Sequence, residues 1–145
     1  MDFLTGMRVS ASGMTAQRMR MNAISSNIAN VNTTKTPEGG AYRRKEVVFS
    51  SLPQQRHFGE ILAGKVDADI DRVQVVDIRP DRKGPLLKYE PTHPDANEEG
   101  YVAYPDINMM QEMVDMISAS RSYEANIAAM NTSKNMALSA IELGR

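Results

Sequence analysis

The chain has no cysteine, only two histidines, and a formal net charge of −1 at pH 7. Without cysteine there is no disulfide framework and no thiol chemistry. That absence suits a cytosolic and an exported protein equally. His57 and His93 bring no nucleophile-and-base set with them, and His93 sits in a loop between Thr92 and Pro94. A charge this close to zero argues against a surface for polyanions. No apolar run approaches the ~20 residues of a membrane span. The opening Met1-Asp2-Phe3-Leu4-Thr5-Gly6 lacks the basic region and continuous apolar core of a cleaved signal peptide. Glu38-Gly39-Gly40-Ala41 lacks the lysine and the following helix of a phosphate cradle. No catalytic, cofactor-binding or metal residue is therefore expected. Neither is nucleic-acid binding or direct membrane insertion.

A regional absence is more informative. Ile107 to Leu143 contains neither proline nor glycine and is bounded by Pro105 and Gly144. As one helix it would be roughly 55 Å long. Met109, Met116, Tyr123, Met130 and Ala137 recur at seven, and Met113, Ser120, Ile127, Lys134 and Ile141 form the interleaved line. This is the 3.5-residue repeat of a helix lying along another helix. Met110, Ile117 and Leu138 widen the stripe. Glu112, Asp115, Arg121, Glu124 and Glu142 are assigned to the opposite face. So few charges on so long a helix call for partners on more than one side. Asp106 or Asn108 is the expected cap, and Asn108 with Gln111 resembles a capping box.

The other end repeats the pattern. Residues 3–31 predict a helix with Met7, Met14, Met21 and Ile28 at sevens, and Phe3, Ser10, Gln17, Ile24 and Val31 between them. Leu4 and Ala11 broaden this stripe. Gly6 and Gly13 weaken it, each by about 1 kcal/mol relative to alanine. Alone in water such a helix is marginal, so it is expected to fray until a partner covers its stripe. All eleven methionines lie in residues 1–21 and 109–136, and all seven prolines lie between Pro37 and Pro105. Asn27 to Thr34 ends the first helix. Its amides, Asn27 and Asn30 among them, serve either as a plain stop or as hydrogen-bonding groups across a helical interface.

The middle reads as β-rich. Strands are expected at Tyr42–Phe49, Val66–Ile78, Leu86–Tyr89 and Gly100–Pro105, with a possible helical turn around Glu60-Ile61-Leu62. Arg43-Arg44-Lys45 reads as a solvated strand edge, because Glu46 interrupts the run and no second basic cluster joins it. Asp95-Ala96-Asn97-Glu98-Glu99-Gly100 looks like the start of a calcium loop, but Pro91 and Pro94 preclude the entering helix. The fold class is α+β: long terminal helices pairing as a coiled-coil-like bundle around a small β-rich middle. The expected division is 1–34, 35–105 and 106–145.

Several blocks carry a family resemblance. Ser25-Ser26-Asn27-Ile28-Ala29-Asn30-Val31-Asn32-Thr33-Thr34 resembles the N-terminal signature of bacterial flagellar rod and hook proteins. Thr36–Arg44 with Glu46-Val47-Val48-Phe49, His93–Val102, and Glu112–Met116 with Ser120–Asn126 are similar to its proximal-rod branch. Pro37-Glu38-Gly39-Gly40 replaces the Gly-Tyr pair common elsewhere in the family and supports that branch. Only about residues 51–90 carry no recognisable block. The resemblance implies a non-enzymatic rod subunit with terminal helices forming an inner tube. It implies export by the flagellar type III apparatus without signal cleavage, and a place in the basal-body rod in the periplasmic space. Implied partners are the chain itself, other proximal- and distal-rod proteins, the base adaptor and the export apparatus. On this reading the assembly seam comprises Met7, Met14, Met21, Ile24, Asn27, Ile28, Asn30, Met109, Met113, Met116, Tyr123, Ile127, Met130 and Ile141. The alternative is a soluble binding module with a weak calcium-like turn at Asp95–Gly100.

Overall fold

The computed structural model describes residues 3–52 and 71–144. Helix α1 spans Phe3–Ala29 and helix α2 spans Met109–Leu143. Between them lie strands β1 (Lys45–Leu52), β2 (Arg72–Pro80), β3 (Leu86–Tyr89) and β4 (Tyr101–Tyr104). The architecture is α+β, as the sequence predicts. The helical turn expected at Glu60–Leu62, and the first part of the strand expected from Val66, lie outside the described residues.

The long proline-free run becomes a single helix because nothing interrupts its backbone ladder. Asn108 starts it: its Oδ1 accepts from Met110 N at 3.0 Å and Gln111 N at 3.2 Å. Two otherwise unpaired helix donors are thereby satisfied. The strand expected from Tyr42 begins at Lys45 instead. Tyr42 N donates to Thr33 O at 3.1 Å, so this part of the chain is held by the helix exit before it pairs as a strand.

β1 pairs antiparallel with β2, and β3 with β4, in two separate two-stranded sheets. In the first, Val48 faces Asp77 and Phe49 faces Val75, so Val76 is the extra residue of a bulge. In the second, Tyr89 faces Tyr101 with rings packed edge to face at 5.4 Å. The β3–β4 connection closes at Gly100, whose φ is +82°. A Cβ there would lie 2.9 Å from the Tyr89 ring, so only glycine fits both the conformation and the space.

The helices lie side by side and antiparallel. Asn27 meets Glu112, Arg20 meets Asp115, and Gly13 meets Asn126. With 13 opposite 126, about the last two turns of α2 reach past Phe3. Apart from Pro105, the apolar side chains buried among the described residues are few: Ala16, Ala23, Ile24, Val102 and Ala119. Most of them are small, which lets the two backbones come close.

Candidate assembly surface and polar joint

Where α1 ends, α2 starts and β1 begins, six side chains form one polar network. At its centre Asn27 is fully buried. Its Nδ2 donates to Lys45 O at 3.0 Å and to Glu112 Oε2 at 3.0 Å. Its Oδ1 accepts from Lys45 N at 2.8 Å and from Tyr42 Oη at 3.1 Å. Both amide protons and both lone pairs are therefore used. The backbone of Lys45 also fixes which way the amide points, since its N–H can only donate and its C=O only accept.

Glu112, in the first turn of α2, is 1% exposed. A carboxylate there is favoured by the positive end of the helix dipole. Its Oε1 accepts from Arg44 Nε at 2.6 Å, a charge-assisted bond. Arg44 Nη2 also approaches Asp115 at 4.0 Å, and Asp115 meets Arg20 at 3.4 Å. Burial opposes the charge on Arg44, but the bond and charge of Glu112, joined by Asp115 and Asp81, hold its guanidinium above its ordinary value. Burial, and then the Glu112 charge, push the Tyr42 phenol up.

This network corrects two sequence expectations. Glu112 and Asp115 are not on the solvated face of α2 but on the side turned to α1, where Asp115 meets Arg20. Arg44 is not part of a solvated strand edge but half-buried against Glu112 and Asp115. A signal for Glu112 was present in the sequence. It leads the line Glu112, Ala119, Asn126, Ser133, one residue ahead of the line that begins at Met113. Together with Met116, Tyr123, Met130 and Ala137 it makes an unbroken 4–3 spacing of buried and half-buried residues along α2. Close approach explains the choice: a Cβ on Gly13 would sit 3.1 Å from the Asn126 amide, so small or compact groups occupy the line. Larger apolar residues are displaced to the flank, where hydrophobic periodicity alone mistakes them for the contact.

The predicted seam residues divide accordingly. Ile24 and Asn27 are buried, and Met7, Met14, Met21 and Ile28 half-buried. Asn30 is half-buried with its Nδ2 on Ser26 O at 2.8 Å, a bond within its own helix end. Of the two amides, Asn27 alone bonds across to α2. Met116, Tyr123 and Met130 are half-buried, whereas Met109, Met113, Ile127 and Ile141 are exposed. The exposed members continue into Met110, Val114, Ile117 and Leu138. The first part of α2 is densest: Met109, Met110, Met113, Val114 and Ile117 are each 38–68% exposed. Gln17 Oε1 is enclosed without a hydrogen-bond donor among the described residues.

The calcium-like turn gains no support. Asp95 accepts from Thr34 Oγ1 at 2.7 Å. Asn97 Oδ1 is occupied by Glu99 N at 3.1 Å and Tyr101 N at 2.8 Å. Two of the oxygens a cation would need are thus committed to protein donors, one at the exit of α1 and the others in the turn itself. Among the described residues no three His, Asp or Glu side chains converge on a metal-sized site. A cleft of about 170 Å³ lies between the Gly39–Arg44 and Asp81–Pro85 segments. Lys83 approaches Asp106 at 4.0 Å within its lining, and Arg44 is taken by Glu112.

Two family profiles match the two ends that carry the network. One, described as flagella basal body rod protein, covers residues 7–35. The other, described as the C-terminal region of flagellar basal body rod FlgEFG protein, covers residues 98–143. The chain is 42% identical to flagellar basal-body rod protein FlgC of Borreliella burgdorferi, across 99% of this chain and 98% of that one. It is 42% identical to the FlgC of Bacillus subtilis, across 96% of each. The chain belongs to the FlgC family of flagellar basal-body rod proteins. The FlgC of Yersinia enterocolitica matches it from end to end at 37% identity. Seen on the FlgC-family chain, the first profile takes in α1 with Asn27, and the second takes in β4 and α2 with Glu112. Arg44 and Lys45, which join the two in space, lie between the profiles.

Proposed function

We propose that this chain is a non-enzymatic structural subunit of the bacterial flagellar basal-body rod, polymerising through its terminal helices. Membership of the FlgC family supports the rod. The outer stripe of α2 carries the polymerisation: Met109, Met113, Ile117, Ile127, Leu138 and Ile141 stand exposed on a helix whose other face already holds α1. A chain with so thin a core gains little by exposing them unless neighbours cover them. Methionine suits such a surface, because a flexible, polarizable side chain adapts to neighbours that differ slightly. A contact between unlike faces that does not close generates a helical array rather than a ring.

On this reading residues 1–34 and 106–145 form the inner tube and residues 35–105 face outward. The partners are further copies, the other proximal- and distal-rod proteins and the base adaptor. The chain reaches the periplasmic space through the flagellar type III export apparatus without signal cleavage. There it passes torque from subunit to subunit.

Proteolysis tests the proposal. Arg8, Arg18 and Lys134 are exposed on the helices of the lone chain. Trypsin is expected to trim there in the soluble protein and to spare those sites in assembled rods. Equal trimming in both states would favour the soluble binding module instead.

A further inference from the structure

At the junction of α1, α2 and β1 both ends of the chain and its middle meet in one hydrogen-bonded cluster. Asn27 grips the peptide of Lys45 at both its N–H and its C=O, at 2.8 and 3.0 Å. This is the two-point pairing a neighbouring strand would supply, delivered by a helix side chain to the first residue of β1. The preceding residue, Arg44, sends its side chain to Glu112 on α2 and its carbonyl to Asp81 N at 2.7 Å, just past the end of β2. Two consecutive residues thus bind α1, α2 and the far strand of the β1–β2 ribbon.

We propose that Asn27 and Arg44 are positioning residues of a rigid joint, which makes the middle region turn with the helix pair rather than swing on it. The proposal rests on the reading of the chain as a torque-bearing rod subunit, because only then must the outward part follow the inner helices. β1 and β2 also lie against α1, but apolar contact is non-directional and lets surfaces slide. Hydrogen bonds weaken steeply as their angles open. Farther along the ribbon, the one hydrogen bond to α1 among the described residues is donated by Val73 N to Ser12 Oγ at 3.3 Å. The angle between ribbon and helices is therefore set at the joint. The joint also spans most of the chain, since Asn27 and Glu112 are 85 residues apart. The orientation is complete only when both ends are in place.

The absence of cysteine makes the test clean, because paired spin labels can be introduced without background thiols. One pair, Val76→Cys with Ser118→Cys, reports ribbon against helix; all of these labelled positions are exposed. A second pair, Asn22→Cys with Ala129→Cys, reports helix against helix. Distances are measured by pulsed electron–electron resonance on the full-length soluble chain. In Asn27→Ala the width of the ribbon–helix distribution is expected at least to double while the helix–helix distribution keeps its width. Arg44→Lys, which keeps the charge but loses the fixed guanidinium fork, is expected to broaden the first pair less and the second not at all. Tyr42→Phe removes one of the four Asn27 bonds and is expected to leave both unchanged. An unbroadened ribbon–helix distance in Asn27→Ala overturns the joint. If that variant loosens both pairs together, Arg44→Lys decides: selective broadening upholds the joint and no broadening overturns it. The measurement uses the unassembled chain, so failure of the rod reading, scored by proteolysis of assemblies, does not disturb it.

Discussion

Replacing Glu112 with alanine is expected to lower the unfolding free energy by about 3 kcal/mol, at the low end of the cost of breaking a buried ion pair. Glu112 is 1% exposed and accepts from two groups. Its loss leaves the Arg44 guanidinium without its 2.6 Å partner and one Asn27 N–H with no acceptor. The low end applies because the Arg44 side chain remains 29% exposed and can turn to water or to Asp115 at 4.0 Å. Domains of this size hold only about 5–15 kcal/mol in total, so the loss is a large share. Glu112→Gln keeps an acceptor for Asn27 but gives up the charge, and should cost about half as much, in line with neutral against charged hydrogen bonds. Urea unfolding followed by circular dichroism measures both. Equal midpoints for the two variants would mean that the charge on Glu112 contributes nothing.

Ile127→Asp is expected to abolish rod assembly while leaving the lone chain folded. Ile127 stands 36% exposed on the flank of α2, so a carboxylate there meets water in the monomer. The cost to folding should be about 1 kcal/mol or less, as for most surface changes. In a rod the same carboxylate would be enclosed without a partner, which costs several kcal/mol at every subunit contact. Met116→Asp should behave differently. Met116 is half-buried on the line that faces α1, so it should lose monomer stability as well as assembly. Electron microscopy of assembly reactions, paired with circular dichroism of the soluble fraction, separates the two. Rods of normal length from Ile127→Asp would place the contact elsewhere.

The helices were legible because their signals are local. An uninterrupted run between Pro105 and Gly144 can only be one element, and Asn108 announces its start. The Met116–Tyr123–Met130 line was also readable. Its companion line was not, because it carries the small or compact Ala119, Asn126 and Ser133, and Asn126 packs against Gly13 of α1. Closeness of two backbones selects for small size, which hydrophobic periodicity does not weigh. Glu112 looked like a solvent-facing charge for the same reason. Its partners come from residues 27 and 44, and sequence spacing says nothing of a pairing across 85 positions. The amides after Ser25 did hint at a contact between helices, and Asn27 makes it. The grip on the Lys45 peptide could not be read, because a backbone acceptor has no sequence signature. The middle region yielded its strands but not their pairing, and the Val76 bulge depends on a register that only the partner strand reveals.

Assembly through the helices requires that the outer stripe of α2 be covered by neighbours. Single-cysteine variants at Met113, Ile117 and Ile127, in a chain with no cysteine of its own, let a thiol reagent report this directly. All three positions should label rapidly in the soluble chain and become protected once rods form. Labelling at the same rate in both states would contradict the account.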